Sequence, residues 1–192
     1  MPYSSSVFDG HVASVVGLLR PQTVCDIGPG AGKYGRLIRM TADNNQFSTE
    51  ITAVEIDESY VEQFELKSIY DNVIISDAMD LLKDVRCRYD VVVIGDCIEH
   101  LRKSDGIDLL NFLTYRSGYI VVIYPDAYIQ DDWEGHMQEA HISVWGPDDF
   151  RSWKTLHIYE RGMHFFLIKG YQKTIVEIAD IKDGTVYFAK TD

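Results

Sequence analysis

The sequence predicts an α/β fold, a doubly wound and mostly parallel sheet with helices on both faces. Three observations predict it. Strand-like and helix-like segments alternate in short units, the pattern of a parallel sheet crossed over by helices. Two runs, 89–95 (YDVVVIG) and 119–124 (YIVVIY), are apolar at consecutive positions, as central strands covered on both faces must be. Beyond His157 the pattern turns to strands alone, which places antiparallel strands at one edge.

Taken in order, residues 5–19 carry Val7, Val12, Val15, Val16, Leu18 and Leu19 at helical spacing, within an N-terminal stretch of 1–20. Ser4 to Ser6 are expected to cap this helix and Pro21 to close it. Residues 23–27 form a short apolar strand that runs into Gly28-Pro29-Gly30-Ala31-Gly32, with a helix expected over 31–41. A second strand (51–55), a second helix (58–69) and a third strand (73–75) follow. Residues 104–113 read as a helix burying Ile107, Leu110 and Leu113, and 148–156 as another. HIYERG and MHFFLIKGY pair as a hairpin. IVEIADI and TVYFAK make an extra C-terminal hairpin within 173–192, joined by Lys182-Asp183-Gly184, because Asp-Gly adopts positive φ at little cost. The connection 125–147 is long, and a long loop after a core strand is more often functional than structural. We expect it to be a lid over the substrate, with Asp126, Tyr128, Trp133, His136, His141 and Trp145 as its working side chains.

Composition narrows the function. The chain has 192 residues, 46% hydrophobic and 25% charged, which suits a single globular domain over 1–192. No apolar run approaches the roughly 20 residues of a membrane span. The N-terminus lacks the basic start and apolar block of a signal peptide, so no membrane partner and a cytoplasmic location are expected. Cys25, Cys87 and Cys97 form no Cys-x-x-Cys pair and read as reduced thiols. The net charge of −12 repels phosphate backbones. The densest basic stretch, 83–88, is interrupted by Asp84. A nucleic-acid partner is therefore disfavoured against a small-molecule acceptor.

The chemistry concentrates at strand ends. The glycine cluster after the first strand permits a tight turn and close approach of a ligand, and the helix that follows presents free amides and a positive dipole end. Glu55 ends the second strand, where a carboxylate accepts the two hydroxyls of a ribose. Asp77 follows the third strand and is placed to accept from an adenine amino group while the Ala78 amide donates to a ring nitrogen. Asp96 follows the fourth. Ligands of open α/β sheets bind outside these carboxyl ends.

VCDIGPGAGKYG resembles the Asp-x-Gly-x-Gly-x-Gly motif of class I S-adenosylmethionine-dependent methyltransferases. AVEIDESY is similar to their acidic second motif, SDAMDL to the third and YDVVVIGDCIEHL to the fourth, over roughly residues 20–125. The resemblance implies a Rossmann-like domain with strand order 3-2-1-4-5-7-6, the seventh strand antiparallel, and S-adenosyl-L-methionine as cofactor. It implies that Gly28, Pro29, Gly30 and Gly32 surround the methionine part, with Asp26 ordering its amino group. Glu55, with Ile56 beside it, would hold the ribose, and Asp77 and Ala78 would read the adenine. Asp96 and Cys97 would line the end where methyl group and acceptor meet.

The segment Asp96-Cys97-Ile98-Glu99-His100-Leu101 is like the Glu-His-Leu signature of small-molecule O-methyltransferases, including those of quinone biosynthesis. His141-Ile142-Ser143-Val144-Trp145 with Asp149-Phe150 resembles, more loosely, bacterial methyltransferases of sugar and cell-surface glycan loci. Many small-molecule members carry a substrate cap. Here one helix precedes the motif, so acceptor contacts are expected from that helix, from 125–147 or from a partner subunit of a homodimer. The expected function is methyl transfer to oxygen of a small polar or sugar-linked acceptor.

His100 is the expected general base, since its ordinary pKa lies near neutrality, with Asp96 and His141 as further catalytic candidates. No metal is assigned. An alternative remains, because Asp96, Glu99 and His100 at i, i+3 and i+4 share one face of a helical turn and with His141 offer a cation site. That set resembles the Glu-x-x-Glu-His cluster and distant His of small-RNA 2′-O-methyltransferases, with Asp96 in place of the first Glu. A cofactor-binding assembly subunit without activity is a third reading, against which the intact glycines and acids argue. A nicotinamide dehydrogenase would want its third glycine later than Gly32, although Gly35 is available.

Overall fold

A computed structural model describes residues 4–127, 129–174, 176–182 and 185–188. Helices α1 (Asp9–Leu19), α2 (Lys33–Asn44), α3 (Glu58–Gln63) and α4 (Lys103–Thr114) alternate with strands β1 (Thr23–Ile27), β2 (Glu50–Glu55), β3 (Asn72–Ile75), β4 (Tyr89–Gly95) and β5 (Ser117–Pro125). β6 (Thr155–Glu160), β7 (Met163–Lys169), β8 (Ile178–Lys182) and β9 (Thr185–Phe188) follow. One seven-stranded sheet has the order β3-β2-β1-β4-β5-β7-β6. β1 to β5 are parallel, and β7 is antiparallel to β5 and β6. The fold class and strand order are those expected.

The central strands explain the two-faced apolar runs. Val91 and Val93 of β4, with Tyr119, Val121 and Ile123 of β5, pack under α1, α2 and α3. Val92 and Ile94, with Ile120, Val122 and Tyr124, pack under Leu109, Leu110 and Leu113 of α4. Alternate side chains thus enter opposite layers, and each fully buried aliphatic contributes about 1.5–3 kcal/mol. No helix among the described residues is long and apolar enough to cross a membrane.

Three expectations are corrected. Ser4 to Ser6 do not cap the first helix: α1 starts later, with Phe8 at its N-cap position and no side-chain cap bond. The backbone carbonyls of Ser4 and Ser5 instead receive the Lys33 ammonium. The helix expected over 58–69 stops at Gln63. Glu65 takes φ 51° and leads into a 3₁₀ turn at Leu66–Ser68, which buries Leu66 and Tyr70. The helix expected over 148–156 is a 3₁₀ turn, Pro147–Phe150. A single turn suffices to bury Phe150, which stacks on Phe166 at 4.0 Å, and β6 begins at Thr155.

The C-terminal extension forms its own two-stranded sheet of β8 and β9, with Lys182 opposite Thr185. The Asp183-Gly184 turn expected between them lies outside the described residues. β9 lies against α1. The Tyr119 hydroxyl, from the main sheet, accepts from the Ile178 amide at 2.9 Å and donates to the Val176 carbonyl at 3.3 Å.

On β1, Asp26 is wholly buried. Tyr70 donates to its Oδ2 at 2.6 Å and itself accepts from the Gly35 amide at 3.2 Å. Asp26 Oδ1 has no donor among the described residues. Burial pushes the Asp26 carboxyl up to about 7, against the Tyr70 hydrogen bond that pulls it down. The folded state therefore keeps a proton that the unfolded chain releases near pH 4, and this group's effect on stability becomes less favourable as pH rises from about 4 to 7.

Two outcomes are expected. Asp26→Asn should gain stability relative to the native chain as pH rises across that window, by on the order of 1.4 kcal/mol per pH unit, read from urea midpoints at each pH. Tyr119→Phe should lose about 1–2 kcal/mol and speed hydrogen exchange of the Ile178 amide, while exchange in β4 stays slow.

Candidate active site

The turn after β1 is built for close approach. Gly28 has φ 67°, and a Cβ there would lie 2.5 Å from Cys97 Sγ; only glycine lets the ends of β1 and β4 meet so closely. Gly32 (φ 76°) sits at the N-cap position of α2. Gly28, Pro29 and Gly30 line a cavity whose other walls come from the ends of β2, β3 and β4: Glu55 and Ile56, then Asp77 and Ala78, then Asp96, Cys97 and His100.

The three acids are held differently. Glu55 is buried. Its Oε2 accepts from the Gly30 amide at 3.2 Å and its Oε1 from the Asp57 amide at 2.9 Å. Those bonds fix the carboxylate plane while burial raises its pKa. Asp77 is exposed and caps a 3₁₀ turn through Oδ1, which accepts from the Met79 amide at 2.8 Å. Asp96 has φ 50°, a left-handed conformation unusual for a non-glycine residue and stored most often at functional sites. Its carboxyl is pushed up to about 6 by burial, against pulls from Ser4, Lys33 and the Ser5 backbone. Its Oδ2 has no partner among the described residues.

The connection 125–147 docks on this edge. His136 binds Asp57 at 2.6 Å, and Gln138 binds the same carboxylate. The Ile142 and Ser143 amides donate to the Glu99 carbonyl at 3.0 and 3.1 Å, and the Trp145 indole donates to the Ile98 carbonyl at 3.2 Å. Gly106 of α4 makes room for Trp145, whose ring would lie 2.5 Å from a Cβ there. His100 Nδ1 lies 3.1 Å from the Ala140 carbonyl. Donation there leaves Nε2 as the basic nitrogen, and burial lowers the pKa of the ring.

Next to His100, Glu99 is buried, and neither carboxylate oxygen has a hydrogen-bond donor among the described residues. Burial, then Asp96, hold its carboxyl well above the ordinary value. His141 Nε2 lies 4.0 Å from Glu99 Oε1, and the His100 and His141 rings meet edge-on at 4.8 Å. One ligand atom from each of Glu99, His100 and His141 falls within 4.8 Å of the others.

The sequence-selected residues divide into groups. Ten of them, Gly28, Pro29, Gly30, Glu55, Ile56, Asp77, Ala78, Asp96, Cys97 and His100, line the one cavity. Asp26 and Gly32 lie outside its lining. His141, Asp126 and Trp145 line a neighbouring cavity. Trp133 and His136 pair with each other in the loop and line neither, and Tyr128 lies outside the described residues. Sequence reasoning missed Ser4, Gln138 and Glu139, which line the first cavity. Ser4 was assigned to a helix cap, and no spacing rule links residues 138 and 139 to the glycine turn.

No family model matches the chain, and no curated protein matches it. Solved structures do. An O-methyltransferase family protein from Burkholderia thailandensis superposes with a TM-score of 0.63 at 11% identity, over 85% of this chain and 55% of that one. The N-terminal domain of EvdMO1 with S-adenosylhomocysteine bound gives 0.62 at 14% identity, over 88% and 83%. Human N-acetylserotonin methyltransferase in complex with S-adenosylmethionine gives 0.60 at 15% identity, over 87% and 52%. The chain thus spans about half the length of the first and third of these. Together with the strand order and the cavity at the carboxyl ends of β1, β2, β3 and β4, these likenesses show that the chain has the class I S-adenosylmethionine-dependent methyltransferase fold.

Proposed function

We propose that the chain transfers the methyl group of S-adenosyl-L-methionine to an oxygen of a small polar or sugar-linked acceptor. The observation that carries this reading is the cavity itself, where a glycine turn, a buried carboxylate and two further acids face one space at the ends of four adjacent strands. The donor set fits the cofactor. Glu55 is a fixed carboxylate ready for ribose hydroxyls, Asp77 keeps one oxygen free of its cap bond, and Asp96 Oδ2 is a buried acceptor in want of a donor. The net charge of −12 argues against a nucleic-acid acceptor.

When bound, the cofactor supplies an electrophilic sulfonium methyl. The protein's part is alignment and proton management. Gly28 and Gly30 leave room for the methionine chain, and Glu55 and Asp77 fix the nucleoside. His100, oriented by the Ala140 carbonyl, takes the proton from the acceptor oxygen at Nε2. A second reading is favoured by the convergence of Glu99, His100 and His141. In it the three side chains would hold a divalent cation, which would supply Lewis-acid activation of the acceptor oxygen.

Calorimetry should show S-adenosylhomocysteine binding far more tightly than NAD; preference for NAD would overturn the reading. Glu55→Ala should weaken S-adenosylhomocysteine by roughly 1.5–3 kcal/mol for each of two charge-assisted bonds, and unchanged affinity would remove Glu55 from the ribose. Once a screen identifies an acceptor, His100→Ala should lower turnover about 10²–10⁴-fold with cofactor affinity nearly intact. Insensitivity of the native chain to a chelator favours the base, and loss of activity restored by Mg²⁺ or Mn²⁺ favours the cation.

A further inference from the structure

A second cavity of about 340 Å³ opens at the carboxyl end of β5, within the size range of small-molecule sites. Tyr124, Pro125 and Asp126 come from the end of β5, Ile142 to Trp145 from the docked connection, and Glu99 and His141 from the cluster described above. It adjoins the cofactor cavity through the chain itself. His100 lines one and Glu99 the other, so one short 3₁₀ turn divides them.

The charge in this cavity has one sign. Among the described residues that line it there is no Lys or Arg. Lys103 lies over the Trp145 ring, 4.5 Å from its centroid, but is bound to Asp149 at 2.6 Å and to the Val144 carbonyl. Two carboxylates face the space. Asp126 is half exposed. It is fixed by the Tyr159 hydroxyl, which donates at 2.5 Å, and by His164 Nε2 at 2.8 Å. Those partners hold its carboxyl below the usual range. Glu99 is buried and without a hydrogen-bond donor among the described residues. Burial holds its carboxyl well above the ordinary value, and an ammonium placed against it favours the ionised form. The remaining walls are aromatic or aliphatic, from Tyr124, Trp145 and the exposed Ile129, Ile142 and Val144 at the rim.

We propose, on the methyl-transfer reading above, that this second cavity receives the acceptor, and that the acceptor is a hydroxylated small molecule carrying a protonated amine. The aromatic walls take its apolar body, the ammonium lies between Asp126 and Glu99, and the hydroxyl points past the 3₁₀ turn toward His100. Acidic acceptors, phosphorylated or carboxylated, are rejected by the Asp126 charge and meet no ammonium or guanidinium on the walls among the described residues.

Three phenols that differ only at the end of a short side chain serve as probes: tyramine (ammonium), 4-ethylphenol (neutral) and 4-hydroxyphenylacetate (carboxylate). Each is titrated calorimetrically into protein saturated with S-adenosylhomocysteine, with chelator present. Tyramine should bind roughly tenfold more tightly than 4-ethylphenol, and 4-hydroxyphenylacetate should not bind at millimolar concentration. The preference should shrink as salt is raised. Asp126→Asn, which keeps volume and removes the charge, should bring tyramine within about threefold of 4-ethylphenol while S-adenosylhomocysteine affinity stays native, which also reports that the variant is folded. Equal or tighter binding of the acid, no binding of tyramine, or an undiminished amine preference in Asp126→Asn overturns the acceptor class and leaves the methyl-transfer reading standing. Failure of S-adenosylhomocysteine to bind overturns both.

Discussion

Four carboxylates, Asp26, Glu55, Asp96 and Glu99, are held out of water at one edge of the sheet, and the donors around them are too few. Among the described residues, Asp26 and Asp96 each leave one oxygen unpaired, and Glu99 leaves both. Each acid is pushed up chiefly by burial, and Asp26 and Glu99 further by neighbouring acids. Burying charge in this way costs stability, so the apolar layers on both faces of β4 and β5 must offset it. A positively charged sulfonium and a ligand ammonium are the kinds of group that such a surplus of acceptors favours. The sheet fixes where the surplus lies, because the backbone polar groups inside it are engaged in the ladder and only the strand ends have directions left to offer.

The fold was legible because its signals are local. The two-faced apolar runs of seven and six residues are short enough to be covered strands rather than helices. The site was legible up to the same limit. Glycine after the first strand and an acid after each of the next three can be read by position. What escaped depends on contacts distant in sequence. The helix expected over 148–156 carries only Phe150 and Trp153 as apolar anchors before Thr155. The burial of Phe150 against Phe166 is decided by a strand not yet formed at that point in the chain. Ser4 looked like a cap because its neighbours are serines, yet its carbonyl is taken by Lys33, and that pairing is invisible without the fold. His164 and Tyr159, which fix Asp126, sit on β7 and β6; the expected strand order places β7 beside β5, but does not set the register that puts His164 opposite Tyr124.

The connection 125–147 is better described as a clamp than as a free lid. Asp57, which caps α3, also holds His136 and Gln138. The Glu99 carbonyl holds two successive amides, and Trp145 is seated against Gly106 in the first turn of α4. Glycine inside a helix costs about 1 kcal/mol relative to alanine, and here that cost makes space for an indole that forms one wall of the second cavity. The same residues that anchor the connection therefore shape the site.

The division between the two cavities constrains any chemistry performed here. Residues 97–100 form a wall one turn thick, with Cys97 and His100 on the cofactor side and Glu99 on the other. On the proposed reading the attacking oxygen must lie on the axis of the breaking bond in an in-line displacement, so an acceptor seated in the second cavity has to reach past this wall. His100 stands where that passage would run, its ring oriented by Ala140 from the clamp. On the proposed reading the docked connection serves two ends: its residues 142–145 wall the second cavity and its Ala140 carbonyl orients His100. On that reading the loop that walls the acceptor also orients the base that deprotonates it.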